Sequence, residues 1–294
     1  MNPYVLLALS MSVALISGMG TKLFLDRYNK SAATRYLYQA VSAIVAVVIL
    51  AIWNGSFKVS LFTVLLGLGF GLLTAVQQIF CMKAMEVGPW SYTAVISSLS
   101  TIIPTLSGAA IWKEKVAPVQ IVGIVLMLIC ICLASDLKKS KTRANVKWII
   151  YCGITFVSTG MIGVLQKWHQ NTAYKGELDE FLVIALAVSA LYSVIAMLIS
   201  CRGAGVGKSL KPVIGWVPVI AMLVAGAGTA LNNRWNLYLS GVLDSSVMFP
   251  IVNGGGLMLT TLAATLVFRE RLSVKQWIGF GIGLVAVILL CNPF

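Results

Sequence analysis

Ten long apolar segments, separated by charged or turn-forming residues, dominate the hydrophobicity pattern of the chain. The segments are continuously apolar, whereas strands of an outer-membrane barrel alternate over about ten residues. Because a membrane-spanning helix needs about 20 apolar residues, the pattern predicts an all-α integral membrane protein with ten transmembrane helices. The predicted spans lie near residues 4–25, 33–53, 59–83, 90–112, 117–135, 147–168, 180–200, 213–239, 245–268 and 275–292.

Composition supports this class. Of 294 residues, 59% are hydrophobic and 11% are charged, and the mean hydropathy is +0.92. A soluble core does not need so apolar a sequence. Ten spans use nearly the whole length, so we expect no separate soluble domain. No Lys or Arg precedes the first span, which therefore lacks the positive region of a secretory signal and is expected to be retained.

The net charge of +13 would suggest a nucleic-acid partner in a soluble protein. Here the cations lie mainly in short loops, where positive charge orients helices in the lipid bilayer, so no nucleic-acid partner is expected. Lys and Arg residues number sixteen on one predicted side and six, including Lys167 and Arg234, on the other. The count predicts both termini outside the cell membrane and the 136–147 linker in the cytoplasm.

Cysteine and histidine give no sign of a metal site or cofactor. The six cysteines fall in or beside apolar segments without the paired spacing of metal or redox sites, so we interpret them as reduced packing residues. His169 is the only histidine of the chain, and it lies in the polar 167–180 connection. We interpret it as a solvated loop residue.

A short motif occurs twice, at equivalent places in the two halves of the chain. Both copies follow one apolar span and precede another. An odd number of spans per copy makes the second copy cross the membrane in the opposite sense, which predicts two inverted five-helix repeats. The repeats occupy 1–136 and 147–294 of one membrane domain and are joined by a basic linker at 137–146. The motif is Lys113-Glu114-Lys115, Gln120 and Gly123, and it recurs 156 positions later as Arg269-Glu270-Arg271, Gln276 and Gly279.

With these motifs the sequence resembles the drug/metabolite transporter superfamily, in particular its ten-span EamA-like branch. The resemblance covers essentially the whole chain. It rests on the basic-Glu-basic turn after the fourth and ninth spans, the Gln-x-x-Gly opening of the fifth and tenth, and the paired Gly-rich short helices. It implies a transporter that works by alternating access, with a central cavity lined mainly by spans 1, 3, 4, 6, 8 and 9. It also implies cytoplasmic termini, opposite to the charge count.

Polar side chains on apolar spans mark the predicted substrate path, because a polar group in hydrocarbon needs a partner or a wet cavity. Three amides recur along span 8, and the repeat places the span 3 amides at the same depth. The alternative is that such residues hydrogen-bond between helices, and that Trp235 belongs to the aromatic belt. The candidate substrate-binding residues are Gln77, Gln78, Ser97, Asn232, Asn233, Arg234, Trp235, Asn236 and Asn253.

Arg234 is the one cation placed within a span and away from its predicted cytoplasmic end. A lone Arg at the bilayer centre costs at least about 2.5 kcal/mol, so we expect Arg234 to face water, a carboxylate or a ligand, or to snorkel to the nearer interface. Its planar fork suits a carboxylate or phosphate. It therefore favours an anionic or zwitterionic substrate, such as an amino acid.

Acidic residues and glycines refine this expectation. All nine acidic residues lie at or near span ends, which disfavours a proton-coupled exporter of lipophilic cations, and Glu114 and Glu270 are interpreted as structural turn residues.

Pro250 followed by the residues 253–256, which include three glycines, predicts a hinge or a close helix approach. Gly279-x-x-x-Gly283 predicts a packing face within the chain or a homodimer contact.

The sequence thus predicts a secondary active transporter of a small polar, zwitterionic or anionic metabolite, not an enzyme. The expected partners are the substrate, the lipid bilayer and a coupling ion. The alternatives are a lipid-linked substrate carrier or flippase, a multidrug exporter, and a non-transporting membrane scaffold.

Overall fold

The computed structural model describes residues 2–28, 31–54, 58–87, 90–134, 146–202, 205–206, 210, 213–259 and 273–291. Every long regular element among them is helical. The helices are α1 Pro3–Tyr28, α2 Ala32–Asn54, α3 Leu61–Val87, α4 Trp90–Leu99, α5 Ile102–Trp112, α6 Pro118–Ala134, α7 Val146–Gln170, α8 Leu178–Cys201, α9 Trp216–Val242, α10 Ser245–Pro250 and α11 Val274–Cys291, with a π-helix at Ile251–Gly255.

Eight helices of the described part are long and apolar enough to cross a membrane. Predicted spans 5 and 9 correspond to the shorter apolar helices Pro118–Leu133 and Ser245–Leu259. Large apolar side chains also cover outward faces: on α3, Leu61, Leu65 and Leu72 are 74%, 61% and 60% exposed at helical spacing. The prediction of an all-α, multi-pass membrane protein is confirmed at this level, while the number of ten spans and the inverted repeat stay predictions.

Predicted span 4 is interrupted. We expected one helix over 90–112, but α4 ends at Leu99 and α5 begins at Ile102. Pro104 accounts for the break, because its ring would clash with the carbonyl of Ser100, four residues earlier, in a continuous α-helix. Pro104 is tolerated in the first turn of α5, where a backbone donor is not needed.

The chain forms two compact units. The first unit contains Met1–Ala75 and Thr172–Tyr238, and the second contains Val76–Asn171 and Leu239–Phe294. Each unit therefore draws on both halves of the sequence. The helices α3 and α9 contribute residues to both units.

In the first unit, α2 packs extensively along α8. Glycine allows α9 to approach α2 closely: a Cβ atom at Gly226 would lie 2.6 Å from Val45 Cβ. At the end of α1, Phe24 and Tyr38 pack with rings 4.4 Å apart, and Met222 of α9 joins their buried cluster. These contacts hold together α1, α2, α8 and α9 in the first unit.

In the second unit, α6 packs along α11, and α5 packs against α7 and α10. A π-helix follows Pro250, and a Cβ atom at Gly254 would lie against Met127, which is the predicted close approach. Gly283 is buried against Met258 and Cys130. The glycine face of α11 at Gly283 is therefore covered within the unit itself.

Candidate functional site

Arg234 of α9 binds a carboxylate of the protein. Its Nε donates to Asp179 Oδ1 at 2.7 Å, and its Nη2 donates to Asp179 Oδ2 at 3.0 Å. Asp179 lies in the first turn of α8, where a negative charge interacts favourably with the helix dipole. The expectation that Arg234 faces a carboxylate is met by a residue that the sequence reasoning treated only as a span-end acid.

The Arg234 guanidinium also lies over the Trp53 ring, 4.7 Å from its centroid. The ion pair is not closed to solvent, since the Arg234 and Asp179 side chains are 32% and 12% exposed. A cavity of about 320 Å³ opens beside it and is lined by Leu6, Leu178, Arg234, Trp235 and Tyr238. The cavity lining therefore includes one cation and two aromatic side chains, while Asp179, the partner of Arg234, does not line it.

A closed polar network joins α9 to α1 one turn from the cavity residue Leu6. The Ser10 hydroxyl donates to Asn236 Oδ1 at 2.8 Å, and Asn236 Nδ2 donates to Asn232 Oδ1 at 2.9 Å. Asn232 Nδ2 in turn donates to the Ser10 carbonyl at 3.0 Å. These two amides therefore hydrogen-bond between helices, as the alternative interpretation proposed, and they anchor α9 to α1 through the face opposite Arg234.

Asn233 does not join this network. Its Nδ2 donates to the Thr229 carbonyl of its own helix at 2.8 Å. The first unit thus contains Asn232, Asn233, Arg234, Trp235 and Asn236, but their side chains serve different purposes. Arg234 and Trp235 line the cavity.

The other four predicted residues lie in the second unit, and two of them carry buried polar atoms that make no regular hydrogen bond with the part of the chain that the structure describes. Gln78 Oε1 on α3 and Ser97 Oγ on α4 make no hydrogen bond of standard geometry with the described residues, and Ser246 Oγ on α10 makes none either. Gln77 is half-buried on α3. A buried acceptor left unpaired costs about 1–3 kcal/mol, so Gln78 Oε1 and Ser246 Oγ call for partners beyond the described residues, while Ser97 Oγ has the Cys81 thiol beside it.

Neighbouring polar groups extend this cluster along α4 and α5. The Cys81 thiol, one turn from Gln78 on α3, lies beside the Ser97 hydroxyl. One turn further on, the Thr101 hydroxyl accepts a hydrogen bond from Asn253 Nδ2 at 3.3 Å. Asn253 lies in the π-helix and is exposed. Together these residues form a polar line through apolar helices.

A buried ion pair, which the sequence reasoning missed, lies in the second unit. Lys167 Nζ is 2.6 Å from Glu114 Oε1, and the two side chains are 5% and 9% exposed. Lys167 Nζ also donates to the Leu243 carbonyl at 2.9 Å, and the Ser245 amide donates to Glu114 Oε2 at 2.8 Å. Glu114 therefore connects the turn after α5 to the ends of α7 and α10, and it is more than a turn residue.

The interpretation of His169 was wrong, because α7 continues to Gln170. Lys167 is a buried residue of the same helix. His169 was expected in solvent but is 0% exposed, and its Nδ1 lies 3.1 Å from Gln170 Nε2. Among the described residues no group of three or more metal-binding side chains occurs.

Asp244 precedes α10 beside this ion pair. Partial burial raises the pKa of the Asp244 carboxyl above its ordinary value of 3.8, the Glu114 charge raises it further, and the Lys167 charge opposes the rise. Asp244 is the N-cap of α10 but makes no side-chain capping hydrogen bond. Its charge is therefore unfavourable where it lies.

The second copy of the basic-Glu-basic turn, at 269–271, lies outside the described residues. The Gln of the motif is described in both copies. Gln120 Oε1 accepts from the Ala117 amide at 3.1 Å, and Gln276 Oε1 accepts from the Ser273 amide at 2.8 Å. Both side chains satisfy an amide at the start of a helix, which is the capping role of a Gln at the third helical position.

Comparison with known proteins shows a shared fold. No family model matches the chain. An uncharacterized protein of Haemophilus influenzae is 24% identical over 226 residues, which cover 76% of this chain and 74% of that protein. A protein of known crystal structure superimposes with a TM-score of 0.73 at 14% identity, over 96% of this chain and 95% of that chain. At this identity the likeness extends to the fold alone.

Proposed function

We propose that the chain is a secondary active transporter of the drug/metabolite transporter superfamily, in its EamA-like branch. It moves a small polar metabolite across the cell membrane by alternating access, and it is built from two inverted five-helix repeats. The observation that carries the proposal is the pair of buried polar atoms, Gln78 Oε1 on α3 and Ser246 Oγ on α10, that have no hydrogen-bond partner among the described residues. Water, a solute or a second conformation satisfies such atoms in a transporter, whereas a membrane scaffold has no need of them.

The capping geometry supports the repeat. Gln120 and Gln276 occupy equivalent places in the two copies of the motif, and each accepts a hydrogen bond from the amide three residues earlier. Each copy uses the same side chain to begin a helix. Two copies of one five-helix unit are expected to keep the same local hydrogen bond at the same position, as Gln120 and Gln276 do.

The ion pair selects among substrates. Asp179 balances the charge of Arg234, so the cavity beside them has no net positive charge from this pair. A zwitterion such as an amino acid suits this balance, with its carboxylate toward Arg234, which lines the cavity, and no net charge of its own. The pair therefore favours a zwitterion over a purely anionic substrate.

Uptake into liposomes containing the purified protein tests the function. We expect wild type to exchange radiolabelled zwitterionic amino acids in preference to dicarboxylates and lipophilic cations. Arg234→Ala and Asp179→Asn each lower this exchange at least about tenfold, equivalent to one charge-assisted hydrogen bond. Arg202→Ala, at an exposed residue after α8, leaves it unchanged. Folded wild-type protein that exchanges no member of the panel contradicts the proposal.

A further inference from the structure

A second cavity of the first unit, of about 300 Å³, is almost entirely apolar. The last turns of α1 contribute Gly20, Phe24, Arg27 and Tyr28, and the first turns of α9 contribute one face from Val217 to Val224. Seven residues of α-helix extend about 10 Å. The cavity is therefore a groove along two helices, and it is separate in its residues from the Arg234 cavity.

The walls of the groove are suited to a hydrocarbon chain. Val217, Ile220 and Val224 are 57%, 55% and 44% exposed, so α9 presents apolar surface that the protein does not cover. A Cβ atom at Gly20 would have no neighbour within 4 Å, which means that space is open there. Phe24 is 1% exposed and forms the base of the groove with its ring against Tyr38.

One end of the groove has the chemistry of a membrane interface. Arg27 is exposed at the end of α1, Tyr28 follows it, and Trp216, which begins α9, is 83% exposed. Tyr and Trp are enriched at the level of lipid headgroups, where Arg meets phosphate. The groove therefore runs from the headgroup level into the hydrocarbon.

The charge of this segment favours an anionic headgroup. Four cations occur between positions 22 and 35, which is the density that attracts anionic lipids beside a membrane helix. Arg35 of α2 lies one turn before Tyr38, and its Nε is buried without a hydrogen-bond partner among the described residues. The four are Lys22, Arg27, Lys30 and Arg35.

We propose that this groove binds one acyl chain of an anionic phospholipid, whose phosphate lies against Arg27. The apolar faces of α1 and α9 hold the chain, and the guanidinium selects the headgroup. The lipid is a bound ligand of the first unit and is not the transported substrate. The proposal does not depend on transport.

Native mass spectrometry of the full chain tests the site with an equal mixture of dioleoyl phosphatidylglycerol and dioleoyl phosphatidylcholine. We expect wild type to retain phosphatidylglycerol about fivefold better, the contribution of one cation near an anionic headgroup. Arg27→Gln lowers its retention to that of phosphatidylcholine. Glycerol 3-phosphate, which has the headgroup but no chain, does not displace the lipid.

A larger side chain that fills the groove distinguishes lipid binding at this site from nonspecific lipid binding to the protein surface. Gly20→Leu lowers retention of both lipids about tenfold, corresponding to roughly two buried methylene groups. Gly18→Leu is the matched control, since Gly18 also has no neighbour within 4 Å but does not line the groove. Equal retention by the two leucine variants, unchanged selectivity in Arg27→Gln, or displacement by glycerol 3-phosphate would each overturn the proposal.

Discussion

Lys167 and Glu114 form an ion pair shielded from solvent, with 2.6 Å between Nζ and Oε1. The carboxylate also accepts from the Ser245 amide, and the ammonium donates to the Leu243 carbonyl. Both charges are therefore supplied with hydrogen-bond partners. The pair joins the ends of three helices in the second unit, and its removal should be felt in folding.

Removing one partner of this pair leaves a buried charge. Glu114→Gln and Lys167→Met are each expected to lower the free energy of unfolding by about 3–5 kcal/mol. The double variant recovers most of the loss, because no uncompensated charge remains. Denaturant titration in detergent measures the effect by circular dichroism. Single variants within about 1 kcal/mol of wild type would show that the pair is not buried in solution.

Gly108 of α5 is required beside the same pair. A Cβ atom there would overlap the Glu114 carboxylate and Ser245 Cβ. Gly108→Ala is expected to cost about 1–3 kcal/mol through overpacking. The control is Gly153→Ala on α7, where a Cβ atom meets nothing within 4 Å and Ala gains up to about 1 kcal/mol in helix propensity. Thermal unfolding of both variants checks the difference, and equal midpoints would contradict it.

Asp244 gives the second unit a pH dependence. Its pKa is raised in the folded state, so the folded protein binds the proton more tightly than the unfolded chain. The resulting stabilisation is complete below pH 3.8 and is lost as pH rises through the folded pKa. Asp244→Asn keeps a good N-cap residue and, because asparagine carries no charge, removes the loss of stability at higher pH. We expect the variant to melt higher than wild type at neutral pH, with the gap narrowing toward pH 3.8. A lower melting temperature at neutral pH would contradict this sign.

The Ser10 network couples two helices of the first unit. Ser10→Ala and Asn236→Ala are expected to be non-additive, with a coupling energy of about 0.6–1.7 kcal/mol, as for hydrogen bonds between membrane helices. A double-mutant cycle on unfolding measures it. Thr229→Ala should show no coupling to Ser10→Ala, because Thr229 interacts with Asn233 through its backbone carbonyl.

Helix positions could be predicted from the sequence because apolar length decides them locally. Predicted span 2, at 33–53, is observed as Ala32–Asn54, and predicted span 6, at 147–168, is Val146–Gln170. The break before Pro104 has a local cause as well, because proline interrupts an α-helix wherever it occurs beyond the first turn.

The partners of charged residues could not be predicted in the same way. Arg234 was singled out because a cation inside a span is rare, but nothing in the sequence joins it to Asp179 on another helix. Lys167 and Glu114 lie at or near the ends of predicted spans, and only packing shows that both are buried and paired. Periodicity reports which face of a helix is polar. It does not report what that face meets.

Water access at Gln78 is the most direct test of the polar path on which the proposed transport depends. With the native cysteines replaced, Gln78→Cys and Ser97→Cys are labelled by a charged, membrane-impermeant thiol reagent, and Leu72→Cys, on the lipid-facing side of α3, is the control. We expect labelling of the first two variants, slowed by transported substrate, and no labelling of the control. Absence of labelling at both Gln78→Cys and Ser97→Cys in folded protein would contradict it.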